Sequence, residues 1–204
     1  MNLEQFLEDL RAPTGAPGGG AAAAMAGAMG CALFQMVAGV TSSLPRFSEN
    51  KDKLEEIYSK SETLYNTFLQ LTEKDTNAYR QVESAMKMPK NTVEEKASRR
   101  QAMQEAFGVA TQIPLQVIRT SLEAMSLLPD LLLYGNPNAI TDVCVGAFML
   151  DSAVRGASVN AKINLGSIKD EEFKNRCNLE LQSAEQDASR YMAQLEHAME
   201  EAGL

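Results

Sequence analysis

Few side chains in this 204-residue chain are suited to acid–base or nucleophilic chemistry. The only histidine, His197, lies among charged residues near the C-terminus, which is typical of a solvated surface residue rather than a catalytic one. The three cysteines are widely spaced in apolar or helical surroundings and lack CxxC spacing, so we expect buried thiols in a reducing cytoplasm. The composition predicts no metal site, and carboxylates, lysines or the substrate itself would have to move protons.

The first candidate site is the glycine run Gly18, Gly19 and Gly20, which directly precedes a predicted helix. Unpaired N–H groups at a helix start can hold an anion or the polar edge of a ligand. Glycine allows the backbone to approach such a ligand closely. A tight turn packed against a neighbouring helix explains the same residues equally well.

A second candidate is the turn Asn136–Asp142, which opens another long helix. Asn138 is suited to the N-cap, and Thr141 and Asp142 would lie in the first turn. The helical period places six polar or small residues on one stripe, namely Asp142, Gly146, Ala153, Ala157, Asn160 and Asn164. This stripe could form one side of a ligand-binding pocket. The alternative is purely structural: the turn caps the helix, and the asparagine amides are buried and hydrogen-bonded within the bundle.

Asp75 is the third candidate, because it continues the apolar side of a helix that carries Leu64, Phe68 and Leu71. Burying an unpaired charge is costly, so a carboxylate at this position is either paired or functional.

The elements that must position these residues are all helical, because no segment shows convincing period-two alternation. Thr92 and Glu95 form a capping box, and Pro114 should kink or divide the helix that follows. The predicted helices cover residues 2–10, 21–42, 48–86, a stretch from Thr92 to about Leu128-Pro129, 139–164 and 170–202. We therefore predict one domain over residues 1–204, an all-α bundle of long helices.

The segment between Arg11 and Arg46 carries no charge and is long enough to span a bilayer. It is mostly alanine and glycine after a proline- and glycine-rich start, and its N-terminal flank is acidic, unlike that of a signal peptide. A buried central helix is the better interpretation, so no membrane is expected as a partner. The net charge of −8 argues against nucleic acid.

Several motifs, taken together and in order, resemble one known family. They are Ala16–Gly20 with the alanine-rich helix, Asp75–Tyr79, Met88–Lys90 with Glu94–Ala97, Gly135–Asp142, and Arg155-Gly156 through Asn160 and Ile163–Leu165 to Lys169-Asp170. The chain is similar in these motifs to formimidoyltetrahydrofolate cyclodeaminases and bacterial methenyltetrahydrofolate cyclohydrolases. The likeness covers nearly the whole sequence.

The resemblance implies an all-helical homodimer that acts on tetrahydrofolate substrates without a metal or redox cofactor. Such enzymes cyclise 5-formiminotetrahydrofolate with loss of ammonia, or add water to 5,10-methenyltetrahydrofolate. It further implies that Asp142 is the leading acid–base residue, with Asp75 as a second carboxylate. Substrate contacts are expected from Gly18, Gly19, Gly20, Arg46, Asn138, Thr141, Asn160 and Asn164, in a pocket between the two turn-rich helix starts.

The chain departs from this family at Leu44-Pro45-Arg46-Phe47, where members commonly carry a lysine-rich stretch. Arg46 could contact an anion there but could not titrate. One alternative is therefore a folate-binding or structural homologue that kept the fold and lost turnover. Another is an interaction module acting through the C-terminal helix, whose residues from Cys177 to Ala202 follow a coiled-coil-like seam.

Overall fold

The computed structural model describes residues 2–204, which form seven α-helices and, within that range, no β-strand. The α-helices are α1 Leu3–Arg11, α2 Gly19–Ser42, α3 Lys51–Lys87, α4 Val93–Met125, α5 Leu128–Tyr134, α6 Ile140–Leu165 and α7 Glu171–Ala202, with 3-10 helices at Pro45–Asn50 and Pro137–Ala139. The all-α prediction is confirmed, and the capping box at Thr92 and Glu95 starts α4 as expected.

Four long helices form the centre of the bundle. α2 packs against α3 and α6, and α4 packs against the same two helices from the other side, so the four surround one apolar core. The short α5 fills one end of this core, and α7 lies outside it against α4 and α6. The largest buried side chains come from every one of these helices, and they include Phe34, Phe68, Leu115, Leu131, Leu150 and Leu181.

Small residues let α2 lie unusually close to both of its neighbours. A Cβ atom built at Gly30 would lie 2.8 Å from the carbonyl oxygen of Gly146, and one at Gly27 would collide with the ring of Phe68. α2 and α6 run antiparallel, because Gly19 faces Asn160 at one end and Gly30 faces Gly146 in the middle. The alanine- and glycine-rich composition of α2 is thus a packing requirement.

Two expectations about the helices are corrected. Pro114 does not divide its helix, since α4 continues from Val93 to Met125. The uncharged helix α2 is not buried all round: Met29, Met36 and Val40 are exposed on its outer side. In length and composition α2 could cross a membrane, the single such helix among residues 2–204, and half of its most apolar 18-residue window is buried in the bundle.

The predicted seam on the C-terminal helix packs against other helices of the same chain. Cys177, Leu181, Ala184, Ala188 and Leu195 are buried, because this face of α7 packs on α4, α5 and α6. The structure therefore leaves no free apolar seam on α7 for a partner, which removes the basis for the interaction-module alternative.

A pair of glycine substitutions tests the close helix packing. We expect Gly30→Ala to destabilise the protein by about 1–3 kcal/mol, because the new methyl group meets the backbone of α6. Gly108→Ala in α4 is the matched control, since a Cβ there meets no atom within 4 Å. It should stabilise the helix by about 0.5–1 kcal/mol. Urea unfolding of both variants measures the difference, and equal stabilities would contradict the packing argument.

Candidate functional site

The structure has a cavity of about 310 Å³ at the end of the bundle where α2 begins. This volume lies within the range of roughly 300–1,000 Å³ found for small-molecule sites. Its walls come from four segments: Gly15 and Gly18–Gly20 before and at the start of α2, the face of α3 from Asp75 to Met86, Phe107 and Ala110 of α4, and Asn160, Ile163 and Asn164 of α6. Six of the ten predicted site residues thus line one pocket.

The start of α2 provides unpaired backbone donors at this pocket. Gly18 is the N-cap and makes no side-chain capping bond, and the first backbone bond of the helix is donated by the N–H of Ala22 to the carbonyl of Gly18. The N–H groups of Gly19, Gly20 and Ala21 precede that bond. The N–H of Ala21 meets the Asp75 carboxylate, and those of Gly19 and Gly20 have no backbone partner. They carry the positive end of a long helix dipole, which attracts negative charge or a ligand acceptor.

The carboxylate of Asp75 lies directly against this helix start. A Cβ atom at Gly20 would lie 2.7 Å from Asp75 Oδ2, so any larger residue at position 20 would displace the carboxylate. Burial raises the pKa of Asp75, and the backbone N–H of Ala21 lowers it in part. No lysine, arginine or histidine among residues 2–204 forms a salt bridge with Asp75. It is a carboxylate held in the pocket by backbone rather than by a cation.

Two asparagines of α6 form the opposite polar wall. The side-chain amide of Asn160 donates to the carbonyl of Gly156 at 2.8 Å, and that of Asn164 donates to the carbonyl of Ala110 at 2.8 Å. The amide nitrogen of each residue is thereby held by a backbone carbonyl. Each Oδ1 atom receives no hydrogen bond within residues 2–204, so both oxygens are available as acceptors for a ligand.

Pro114 explains why Asn164 finds its partner on α4. In a regular helix the N–H of residue 114 would donate to the carbonyl of Ala110, four residues earlier. Proline has no N–H, so it leaves that carbonyl free inside the bundle. Asn164 satisfies it from α6 and is fixed beside the pocket in return. The proline therefore positions a site residue without breaking the helix.

The remaining walls were not predicted from the sequence. Tyr79 lies one helical turn after Asp75, and its hydroxyl approaches Gly15 so closely that a Cβ there would be 2.7 Å away. The i, i+4 spacing from Asp75 was the available signal. Met86, Phe107 and Ile163 come from three different helices, and no spacing in the sequence links them.

The other four predicted site residues lie at the opposite end of the bundle. The Asn136 N–H donates to Thr41 Oγ1 at 3.1 Å, and Arg46 Nη2 donates to Asn136 Oδ1 at 2.9 Å. These bonds join the end of α2 to the start of α6. Arg46 also stacks on Phe47, 4.9 Å from the ring centre. Thr141 is exposed and Asp142 is half-buried in the first turn of α6.

Asn138 is not the helix N-cap that was predicted. Asn136 caps the preceding 3-10 helix by accepting from the N–H of Asn138, and Ala139 stands at the N-cap of α6 without a side-chain bond. Pro137 sets this geometry, because its fixed backbone angle favours the first position of the 3-10 turn.

One chain does not bring the two turn-rich helix starts together, so the predicted pocket between them would have to form across two copies of the chain. Asp142 and Asn160 are separated by eighteen residues of one continuous helix, which corresponds to about 27 Å. The antiparallel packing of α2 and α6 places the start of each helix beside the end of the other. Asp142 and Arg46 therefore lie far from Asp75 within the same chain.

The thiols and the histidine have the environments expected from the sequence. All three cysteines are free and buried, and burial raises the pKa of the Cys31 thiol to about 12. His197 is exposed and lies 3.6 Å from Glu201 on the surface of α7. Residues 2–204 contain no group of three or more His, Cys, Asp or Glu side chains arranged to hold a metal ion.

Comparison with known proteins agrees with this architecture. The chain is 36% identical to methenyltetrahydrofolate cyclohydrolase of Methylorubrum extorquens over 171 residues, which cover 84% of this chain and 82% of that protein. It is 31% identical to formimidoyltransferase-cyclodeaminase of Rattus norvegicus over 192 residues, and it spans only 36% of that longer protein. The crystal structure of formiminotetrahydrofolate cyclodeaminase from Thermotoga maritima superimposes with a TM-score of 0.89 at 27% identity, covering 100% of this chain and 98% of that one.

The family model described as formiminotransferase-cyclodeaminase matches residues 2–183, a range that contains the whole pocket. With the pocket, the fold and these relatives in agreement, the chain belongs to the formiminotransferase-cyclodeaminase family.

Proposed function

We propose that this protein is a tetrahydrofolate one-carbon enzyme that cyclises 5-formiminotetrahydrofolate, hydrolyses 5,10-methenyltetrahydrofolate, or does both. The observation that carries the proposal is the Asp75 carboxylate, held without a cation in a pocket of suitable size beside free backbone donors. The relatives named above support the same chemistry, since one is a cyclohydrolase and another a cyclodeaminase.

Both reactions pass through a tetrahedral carbon between N5 and N10 of the folate. In cyclisation, N10 attacks the formimino carbon, the bond from that carbon to the amino nitrogen breaks, and ammonia leaves with an added proton. In hydrolysis, water adds to the methenyl carbon, the carbon–N5 bond breaks, and N5 takes a proton to yield the 10-formyl product. Each reaction needs one group that accepts a proton and later returns it.

We assign this proton transfer to Asp75. Its raised pKa increases the fraction of protonated carboxyl near neutral pH, which suits a group that must also act as an acid. The N–H groups of Gly19 and Gly20 would face acceptors of the ligand, and the Oδ1 atoms of Asn160 and Asn164 would accept from its N–H groups. Neither reaction changes the oxidation state of the substrate, so the proposal needs no redox cofactor, and it assigns proton transfer to Asp75 rather than to a metal-bound group.

We further propose that the protein is a homodimer formed through the outer face of α2 and α6. The exposed side chains on this face are mostly apolar, with Ser152 as a polar exception. The apolar ones include Met29, Met36, Val40, Val145 and Phe148. α2 has no charged residue over its 24 positions, so a second copy would meet no like charge along it. Two helices about 36 Å long and about 10 Å apart offer on the order of 700 Å² per chain, close to the ~800 Å² of a standard interface.

A two-fold axis through the middle of this face would complete the site. It would place the Asn136–Asp142 end of one chain over the Gly18–Asp75 end of the other, because the two ends lie at opposite limits of the same face. Arg46, Asn138, Thr141 and Asp142 would then reach the folate from the partner subunit, although one chain keeps them apart. A cytoplasmic location is part of the proposal, and the three free cysteines support it.

The first prediction concerns activity. The purified protein should change the near-ultraviolet absorbance of methenyltetrahydrofolate, produced from the 5-formimino substrate or consumed by hydrolysis. Asp75→Asn should lower kcat by about 10²–10⁴-fold, because it removes the group that transfers the proton. Glu62→Gln, an exposed carboxylate on the same helix, is the control and should retain normal activity. If the wild-type protein acts on neither substrate at high concentration, the non-catalytic alternative is favoured.

The stability of Asp75→Asn separates a catalytic role from a structural one. Because the pKa of Asp75 is raised in the folded protein, its ionised form destabilises folding at neutral pH. Asp75→Asn should therefore be at least as stable as wild type at pH 7. This advantage should disappear as the pH falls through the folded pKa toward the ordinary value near 3.8. A large loss of stability at pH 7 would instead identify Asp75 as a structural residue.

The second prediction concerns the composite site. Asp75→Asn and Asp142→Asn chains should each be nearly inactive alone, and co-expression in equal amounts should restore about a quarter of wild-type activity through mixed dimers. Phe148→Glu should give a monomer in sedimentation experiments and abolish the rescue. Full activity of Asp142→Asn alone, or mixed dimers without activity, would show that each site is made by one chain.

A further inference from the structure

The candidate pocket changes from a polar floor to a largely apolar mouth. Its floor is the start of α2, where Gly19 faces Asn160 and Gly20 lies against Asp75. α3 continues for about three more turns beyond Asp75, to Lys87, and α6 continues beyond Asn160 to Leu165. These extensions rise above the start of α2 as walls. Apart from Asn164, the large side chains that line them are apolar or aromatic, namely Tyr79, Val82, Met86, Phe107 and Ile163.

The mouth of the pocket exposes three of these large side chains to solvent. Tyr79 is 45% exposed, Met86 47% and Ile163 72%. Single exposed apolar residues are ordinary on a protein surface, but three that surround one concave opening are typical of a ligand site. The pocket is therefore suited to a ligand whose reacting end is polar and whose next segment is apolar.

The ring of Tyr79 is held in place by the loop before α2. Gly15 in this loop has a φ of +79°, a conformation that favours glycine. A Cβ atom at Gly15 would also lie 2.7 Å from the Tyr79 hydroxyl oxygen and 3.2 Å from two carbons of its ring. One edge of the ring thus packs against backbone, while much of the remaining ring surface is uncovered at the pocket. The aromatic surface is positioned before any ligand binds.

The covalent structure of a folate determines which group would reach Tyr79, an inference that rests on the proposed folate activity. The reacting carbon bridges N5 and N10, and N10 is bonded directly to the benzene ring of the p-aminobenzoyl group. With the reacting carbon beside Asp75, this ring must occupy the next part of the pocket. Tyr79 follows Asp75 by four residues on the same face of α3, a step of about 6 Å along the helix axis.

We propose that Tyr79 stacks on the p-aminobenzoyl ring of the substrate and makes the site selective for substrates with an aryl group on N10. Offset-stacked aromatic rings have their centres about 4.5–7 Å apart, which matches the step from Asp75 to Tyr79. Stacking also removes the exposed face of Tyr79 from water. Met86 and Ile163 enclose the same group from α3 and α6. Tyr79 is thus a binding residue, and Asp75 keeps the proton transfer.

The test compares two substrates in matched variants. One is 5,10-methenyltetrahydrofolate, and the other is a methenyl-bridged tetrahydropterin with a methyl group on N10 in place of p-aminobenzoylglutamate. Tyr79→Leu should raise KM for the full substrate about tenfold, because a stacked ring is lost. It should leave kcat nearly unchanged, because the ring takes no part in proton transfer. Its effect on the N10-methyl substrate should be less than about twofold, since that substrate has no ring to lose.

Two further variants control for the shape of the pocket and for loss of an aromatic residue elsewhere. Tyr79→Phe keeps the ring and should retain KM within about twofold for both substrates. Tyr191→Leu removes a half-buried tyrosine from α7, outside the pocket lining, and should change neither KM. Each variant is compared with wild type on the same substrate, so the different reactivity of N-aryl and N-alkyl substrates cancels.

Equal losses on the two substrates in Tyr79→Leu would overturn the proposal, because Tyr79 would then act on the pterin or only support the loop. A loss in Tyr79→Phe as large as that in Tyr79→Leu would also overturn it. Calorimetry with 5-formyltetrahydrofolate, which has neither a methenyl bridge nor a formimino group, separates binding from turnover. A Kd raised about tenfold in Tyr79→Leu but not in Tyr79→Phe supports the stacking even if the protein is inactive. Equal Kd values in all variants, or no binding by wild type, would overturn it.

Discussion

The close approach of α2 to α3 and α6 is the constraint on which the rest of the structure depends. Glycine and alanine remove the side chains that would separate the helices, so the carbonyl of Gly146 can lie against Gly30. The same closeness brings the carboxylate of Asp75 against Gly20 and the unpaired N–H groups of the helix start. The helix packing and the position of the Asp75 carboxylate therefore depend on the same small residues. Larger side chains on α2 would separate the helices and would also move the carboxylate.

The pocket is built largely from backbone groups that ordinary helices leave unused. The first N–H groups of α2 are unpaired because a helix has no earlier carbonyl to offer them. The carbonyl of Ala110 is free because Pro114 cannot donate to it, and Asn164 takes its place. These groups need no charged residue to make a polar wall.

The proposed dimer rests on the outer surface of α2 and α6. α2 is uncharged over its full length, yet one side of it remains exposed, and the adjacent side of α6 exposes Val145 and Phe148. Exposed apolar patches of this kind are typical of interaction surfaces. Within one chain, the Asn136–Asp142 turn lies at the opposite end of the bundle from the pocket beside Asp75. An antiparallel dimer would resolve both facts through the same interface.

Local patterns in the sequence determined the helices, the capping box at Thr92 and Glu95, the buried cysteines and the choice of Asp75, because each depends on neighbours within a few residues. They also placed Gly18–Gly20 and the asparagines of α6 among the site residues. Tertiary structure alone decided that Pro114 leaves α4 continuous, that Ala139 rather than Asn138 is the N-cap of α6, and that Tyr79, Met86 and Phe107 complete the pocket. It also separated Asp142 and Arg46 from Asp75, since the direction in which two helices pack is set by contacts between residues distant in the chain. Helical periodicity assigns a residue to a face, but only packing decides which faces and which ends meet.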